Sequence, residues 1–228
     1  MIDMHSHILP AIDDGAKDVQ QSVQMLGDAK RQGADVCVAT SHCKLHREDS
    51  IADFLSNRTN AYDNLMQAVQ GADVPKIILG AEVYLDNDIS KLPMVEKLCI
   101  EGTNYMLVEF SFFSKSPSVY SEWLYNLTIK GIKPIIAHID RYRTRDEMIQ
   151  CFSDIDVVYQ VNNATAFSIK GRRFLKKMQS HTVVMGSDMH NTDSRPCDMK
   201  KAYDIVAKKM PARVQDLFDA NARKILNL

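Results

Sequence analysis

Short, near-continuous apolar runs rich in β-branched residues recur along the chain at residues 1–4, 35–39, 76–79, 105–108, 134–137, 157–161 and 182–185. Runs without polar alternation are what strands buried on both faces require. Between most of them the hydrophobic period lengthens to that of a helix. Val19, Val23 and Leu26 share one stripe ahead of Gly33; Ile51, Phe54 and Leu55 open another behind Ser50, read as an N-cap; Val119, Trp123 and Leu127 precede Gly131. Strand and helix therefore alternate, which implies parallel strands joined by right-handed crossovers. No Pro/Ser-rich linker or break in composition divides the seven units. The expected fold is α/β: a distorted (β/α)7 barrel of parallel strands, with residues 1–228 forming a single domain.

The polar residues interrupting this pattern are not scattered. His5 and His7 follow the first run, Thr40-Ser41-His42 the second, Gly80-Ala81-Glu82 the third, Glu109 the fourth, His138 the fifth, and Gly186-Ser187-Asp188-Met189-His190 the seventh. All lie at the carboxyl ends of strands, which in a parallel barrel open on one face where active sites are built. Five of the seven histidines fall there, leaving His46 and His181 as ordinary surface or core-edge residues. The alternate spacing of Asp3, His5 and His7 in an extended strand predicts that all three point to one side and converge. Carboxylates beyond apolar strands are costly to bury unless paired or bound to a cation. Mixed imidazole and carboxylate donors suit manganese, iron or zinc better than calcium or magnesium. Eight or nine such donors exceed the needs of one ion, so two or three divalent metals are implied.

Charge and cysteine usage narrow the class. With 28 basic against 29 acidic residues, net charge makes no case for nucleic acid or a membrane surface. The five cysteines form no Cys-x-x-Cys pair, which fits reduced thiols. No stretch approaches the ~18 apolar residues of a transmembrane segment, and ligands beginning at the start of the chain leave no room for a cleaved signal peptide. A cytoplasmic protein is expected.

Asp3-Met4-His5-Ser6-His7-Ile8-Leu9-Pro10, Asp13-Asp14-Gly15, Thr40-Ser41-His42, Gly80-Ala81-Glu82, Val108-Glu109-Phe110, Ala137-His138-Ile139-Asp140-Arg141-Tyr142 and Ser187-Asp188-Met189-His190-Asn191 together resemble the PHP (polymerase and histidinol phosphatase) metallohydrolases. The Asp-Asp-Gly, His-x-x-Arg-Tyr and Ser-Asp-Met-His-Asn signatures are similar to those of bacterial manganese-dependent protein-tyrosine phosphatases that regulate capsule and exopolysaccharide synthesis. The resemblance runs from Ile2 to Asn221-Ala222-Arg223-Lys224-Ile225. It implies one metal held by His5, His7, Glu82 and Asp188, and a second by Glu82, Glu109 and His138 with Glu82 bridging. A third would be held by Asp14, His42 and His190. Asp14 enters through the resemblance alone. Arg141 and Arg195 match a phosphate-binding pair, and manganese is the first choice of metal, ahead of iron or zinc. Asp140 departs from the Glu of many relatives, and Cys43 and Lys44 fall where the family varies.

His42-Cys43 followed by Arg47 has a superficial likeness to a thiolate phosphatase loop. That loop needs Cys-x5-Arg, and the required arginine position is Asp49. Neither a Gly-x-Ser-x-Gly elbow nor a Gly-x-x-x-x-Gly-Lys loop occurs. The expected chemistry is metal-assisted phosphomonoester hydrolysis. The resemblance implies a phosphotyrosine protein substrate, a bacterial tyrosine autokinase of capsule synthesis. A small-molecule phosphatase acting on histidinol phosphate is the first alternative. A non-catalytic metal- or kinase-binding regulator ranks last, because every expected ligand position is filled. The loops at residues 42–50, 84–88 and 112–119 would separate peptide from metabolite substrates.

Overall fold

The computed structural model describes residues 1–45, 50–111 and 116–228. His46, Arg47 and Asp49, and parts of the loops at 42–50 and 112–119, lie outside the described residues. All seven expected strand runs form. They are β1 (Ile2–Ser6), β2 (Val36–Ala39) continued by β3 (His42–Lys44), β4 (Lys76–Leu79) continued by β5 (Glu82–Leu85), β6 (Tyr105–Phe110), β7 (Lys133–Ile136), β8 (Val158–Asn162) and β9 (Val183–Gly186). The second and third runs are longer than their apolar segments predict, because each resumes after a two-residue break at Thr40-Ser41 or Gly80-Ala81. Every strand pair is parallel. The order is β1-β2-β4 in one sheet and β3-β5-β6-β7-β8-β9 in the other.

The first and last runs meet through a single bridge between Ser6 and Met189. Asp188 N–H donates to the His5 carbonyl at 2.8 Å and His7 N–H to the Met189 carbonyl at 3.0 Å. The two sheets thus follow the sequence of a distorted barrel. The distortion is the pair of kinks and this one-bridge seam.

Helices cover the outside: α1 (Val19–Arg31), α2 (Ser50–Ala68), α3 (Pro117–Ile129), α4 (Arg145–Cys151), α5 (Ile169–Lys177), α6 (Met199–Lys209) and α7 (Ala212–Leu226). The Asp18 side chain accepts Gln21 N–H at 2.8 Å and starts α1, and Ser168 does the same for α5 through Gly171 N–H. Ser50, expected as a cap, is instead the first residue of α2. Strand alternation divides the apolar residues into two layers. Ile2, Met4, Val36, Val38, Ile78, Leu107, Ile135, Val158 and Val184 pack together inside, closed from below by Ala222, Ile225 and Leu226 of α7. Their neighbours in sequence, among them Cys37, Met106, Val108, Ile136, Val161 and Met185, pack outward against the helices.

The predicted convergence of Asp3 with His5 and His7 is corrected by a β-bulge. Ile2 and Asp3 pair with Val36 and Cys37, but Ser6 pairs with Ala39, so β1 carries one extra residue between them. Side-chain parity flips there. Asp3 lies on the same side as its partner Cys37, while His5 and His7 project into the mouth. Two residues on, the backbone of β9 must pass close to His5. A Cβ on Gly186 would stand 2.5 Å from His5 Cβ and 2.9 Å from its amide nitrogen. Gly186→Ala is therefore expected to lose about 1–3 kcal/mol by overpacking. Gly27→Ala on α1, where the new methyl meets only Arg31 Nη1 at 3.4 Å, should be neutral or stabilising. Thermal denaturation of the two variants checks both.

Candidate metal centre

The sheet delivers its polar residues to one small volume at the carboxyl ends of the strands. His5 Nε2 and His7 Nε2 lie 3.1 Å apart. Each is 3.2 Å from Glu82 Oε2 and 3.6 Å from Asp188 Oδ1. The other Glu82 oxygen is 2.9 Å from His138 Nε2, which is 3.4 Å from Glu109 Oε1. His42 Nδ1 is 3.0 Å from Glu82 Oε2 and 3.8 Å from Glu109 Oε2. Asp14 Oδ1 lies 3.4 Å from both His42 Nε2 and His190 Nε2. All nine predicted ligand residues are thus brought together, and Glu82 stands at the centre.

These distances fit shared cations better than shared protons. Two donors ~2.1 Å from one ion, at 90–109° to each other, stand ~3.0–3.4 Å apart. His42 Nδ1 and His190 Nε2 are buried and make no hydrogen bond, although carboxylate oxygens lie within that range. Their lone pairs and the carboxylates face common points. Three such groups each have their donor atoms within 4.8 Å of one another: His7, Asp14, His42 and His190; His5, His7 and Asp188; His42, Glu82 and Glu109. The donor set could hold more than one divalent ion.

Electrostatics show what the cluster demands. Burial works against a charged His7, yet hydrogen bonds to Asp13 and Glu82 hold its imidazole up to about 10. Burial likewise opposes charge on His138, and Glu109 and Glu82 raise it to about 9. Against its own burial, Glu82 is held well below the usual carboxylate range by His5 and by His138 and His42 beside it. Asp188, despite burial, is lowered to about 2 by His5 and Arg195. His190 goes the other way, to about 4, through burial and repulsion from His7 and Arg195. The carboxylates thus stay ionised and demand positive charge. Protons on the histidines or a bound divalent cation would answer that demand, and the cation would displace the protons on binding.

Arg141 and Arg195 both reach Asp188: Arg195 Nη2 is 2.8 Å from Oδ1 and Arg141 Nη1 is 3.3 Å from Oδ2. Both side chains are partly exposed, at 43% and 39%, so their outer faces open to the mouth. The loop presenting Arg195 is tied down by Asn191, whose Oδ1 accepts the amides of Asp193, Ser194 and Arg195. Asp140, the departure from the family pattern, accepts Asn162 N–H at 2.9 Å and supports the rim without entering the cluster.

Several supporting residues were not singled out from the sequence. Asp13 holds His7 Nδ1 at 2.7 Å, and also accepts His42 N–H at 2.8 Å and Gly15 N–H at 2.9 Å. Gln160 Oε1 faces His5 Nδ1 at 3.1 Å and accepts the His138 amide. Asn162 donates to Asp188 Oδ2 at 2.9 Å. Gln160 and Asn162 sit on the sixth run, where no strand-end chemistry was noted; a buried polar residue inside an apolar strand was the available signal. Asp3 accepts Ser187 N–H at 2.7 Å and its hydroxyl. That grip precedes Asp188, whose φ of 55° lies in the left-handed region, as does the 30° of His138. Each costs ~1–2 kcal/mol and is held by neighbouring hydrogen bonds.

Cys43 is buried, and burial pushes its thiol up to about 12. A thiolate nucleophile is not available there. The Asp13 carboxylate fixes the orientation of His7 from behind, so Asp13→Asn is expected to weaken divalent-metal affinity ~10–100-fold. Titration calorimetry with Mn²⁺ measures it.

Comparison with known proteins agrees with this geometry. The family model for capsular polysaccharide synthesis, CpsB/CapC, matches residues 1–227. The chain is 35% identical over 247 residues to the tyrosine-protein phosphatase CpsB of Streptococcus pneumoniae, covering 99% of this chain and 98% of that protein. It is 28% identical over 236 residues to the tyrosine-protein phosphatase YwqE of Bacillus subtilis strain 168, covering 99% and 91%. A solved chain from the crystal structures of YwqE from B. subtilis and CpsB from S. pneumoniae, described as metal-dependent tyrosine phosphatases, matches with a TM-score of 0.84 at 25% identity, covering 100% of this chain and 94% of that one. The chain belongs to the CpsB/CapC family of capsular polysaccharide synthesis proteins.

Proposed function

We propose that this protein is a metal-dependent protein-tyrosine phosphatase acting in capsule or exopolysaccharide synthesis. The observation that carries the reading is the convergence of His5, His7, Asp14, His42, Glu82, Glu109, His138, Asp188 and His190 around Glu82, with two guanidiniums at the same mouth. The names of the relatives supply the phosphotyrosine. The whole span 1–228 acts as one catalytic domain. In this reading the substrate is a tyrosine autokinase and the enzyme works in the cytoplasm. Among the described residues no helix is long and apolar enough to cross a membrane.

The nine residues would hold two or three divalent ions, manganese first and iron or zinc as alternatives. Bound there, such ions would lower the pKa of a water toward neutrality and neutralise phosphoryl charge. The remaining steps belong to the chain. Arg141 and Arg195 bind the non-bridging phosphoryl oxygens through the forked geometry of the guanidinium. Asp188 pre-aims both, so the phosphate meets donors that are already ordered. Asp13 and Gln160 fix the ring orientations of His7 and His5. A departing tyrosinate, of pKa near ~10, needs little protonic help.

Two outcomes follow. With the metal-stripped protein reconstituted in Mn²⁺, a phosphotyrosine peptide should be hydrolysed faster than histidinol phosphate, and His5→Ala/His7→Ala should abolish turnover in steady-state assays. Preference for histidinol phosphate would move the protein to the metabolic branch, and no turnover of either would favour a binding role. Arg195→Gln, which removes no ligand residue but takes one guanidinium from Asp188 Oδ1, should lower kcat/KM by ~10²-fold, as loss of one preorganised donor to a developing charge does.

A further inference from the structure

The near-neutral net charge conceals a segregated one. No acidic residue occurs between Asp156 and Asp188, while α5 carries Lys170, Arg172, Arg173, Lys176 and Lys177 among its nine residues. Arg172 is used internally, donating to the Ala166 and Phe167 carbonyls at 2.8 and 3.1 Å. The other four are exposed. Some basic side chains elsewhere on the surface are paired, Lys30 with Asp73, Lys133 with Asp156, Lys200 with Asp204 and Arg223 with Asp219, whereas α5 has no acidic residue of its own to offer. Among the described residues, no ion pair is formed by Lys170, Arg173, Lys176 or Lys177.

At ~100° per residue, Lys170, Arg173, Lys176 and Lys177 fall within an arc of ~120°. Phe174 and Leu175 are buried and fall outside this arc. Ile169 falls inside the cationic arc and is 64% exposed. The surface is therefore convex, unpaired, cationic and studded with one large apolar side chain. Cations on the helix C-terminal turn are favoured by the helix dipole, which accounts for Lys176 and Lys177 but not for Lys170, Arg173 or the exposed isoleucine at the start.

We infer that the outer face of α5 is a docking surface for an anionic lipid bilayer, with Lys170, Arg173, Lys176 and Lys177 against the headgroups and Ile169 inserted among them. A plane of anionic headgroups matches a convex cationic face, and an apolar side chain among the cations gains from acyl contact. The orientation has a consequence. α5 begins at Ile169, seven residues past the Asn162 that reaches Asp188 in the metal cluster, and in a parallel barrel the helix following a strand starts on the carboxyl face where the mouth lies. Docking would hold that mouth beside the membrane surface.

Flotation of the full chain with vesicles tests this without reference to activity. Binding is expected to vesicles containing about a third phosphatidylglycerol and not to pure phosphatidylcholine, and to weaken as salt screens the contact. Each of the four cations changed to Gln should reduce partitioning about fivefold, and Ile169→Asp should reduce it further. Replacing the paired Lys30, Lys133, Lys200 and Arg223 by Gln should leave it within twofold. Hydrolysis of a small aryl phosphate in solution should be unchanged in all these variants, which separates loss of docking from loss of fold or of the proposed chemistry. Equal binding to neutral and anionic vesicles, no binding to either, or loss with the control set alone would overturn the proposal. So would tighter capture by duplex DNA or an acidic polypeptide than by vesicles at equal salt, because the partner would then be a polyanion and not a bilayer.

Discussion

The rest of the molecule depends on the seam where the two ends of the sheet meet. β1 and β9 are separated by almost the whole chain, meet through one bridge from Ser6 to Met189 just past β9, and are drawn together by Asp3, which takes both the amide and the hydroxyl of Ser187. Behind that grip, Asp188 adopts a left-handed backbone and turns its carboxylate toward His5, His7 and both arginines. Without the seam, the residues from the first run and those from the last would not share a site. The bulge in β1 is the complementary device: one inserted residue lets Asp3 serve the seam from one side of the strand while His5 and His7 serve the mouth from the other. The closeness of Gly186 to His5 reports how tightly the two runs are drawn together.

Stability and function are divided between levels of the barrel. Below the mouth, one or two apolar side chains from each strand run fill the interior and α7 closes it. Such a core supplies hydrophobic stabilisation in proportion to buried area and leaves the upper level free to be polar. There, buried carboxylates and imidazoles balance one another, and burial raises the stakes of every pair. The opposite directions taken by His7 and His190, one held at about 10 and the other at about 4, show that the balance is set residue by residue. His7 faces Asp13 and Glu82, whereas His190 faces His7 and Arg195. A centre built this way is preorganised for cations and for a phosphate.

Surface charge carries a separate lesson. Summed over the chain, 28 basic and 29 acidic residues cancel, and a reading from net charge finds no reason for an anionic surface as partner. Electrostatic association depends on local potential within a Debye length of ~8–10 Å, not on the sum. Some surface cations are neutralised by a carboxylate beside them, such as Lys30 by Asp73, while α5 carries four exposed cations and no acidic residue. The distribution of pairs, which needs the structure, reverses what the total suggests.

By itself the sequence determined the α/β alternation, the seven strand runs, their parallel order and the placement of His5, His7, His42, Glu82, Glu109, His138, Asp188 and His190 at strand ends. These are local properties: apolar periodicity sets the elements, and a polar residue directly after a buried strand stands at the sheet's carboxyl edge. Asp14, Arg141 and Arg195 were legible only through the family resemblance, since a loop aspartate or arginine has no local mark of its role. The tertiary structure alone decided what depends on contacts distant in sequence. It moved Asp3 from the cluster to Ser187, because strand parity survives only until a bulge and a bulge is set by pairing with β2. It gave Asp13, Gln160 and Asn162 their supporting positions, because each is defined by the histidine or carboxylate it touches across the barrel. It also left four cations of α5 without acidic partners, because pairing on a surface is a matter of which helices lie side by side.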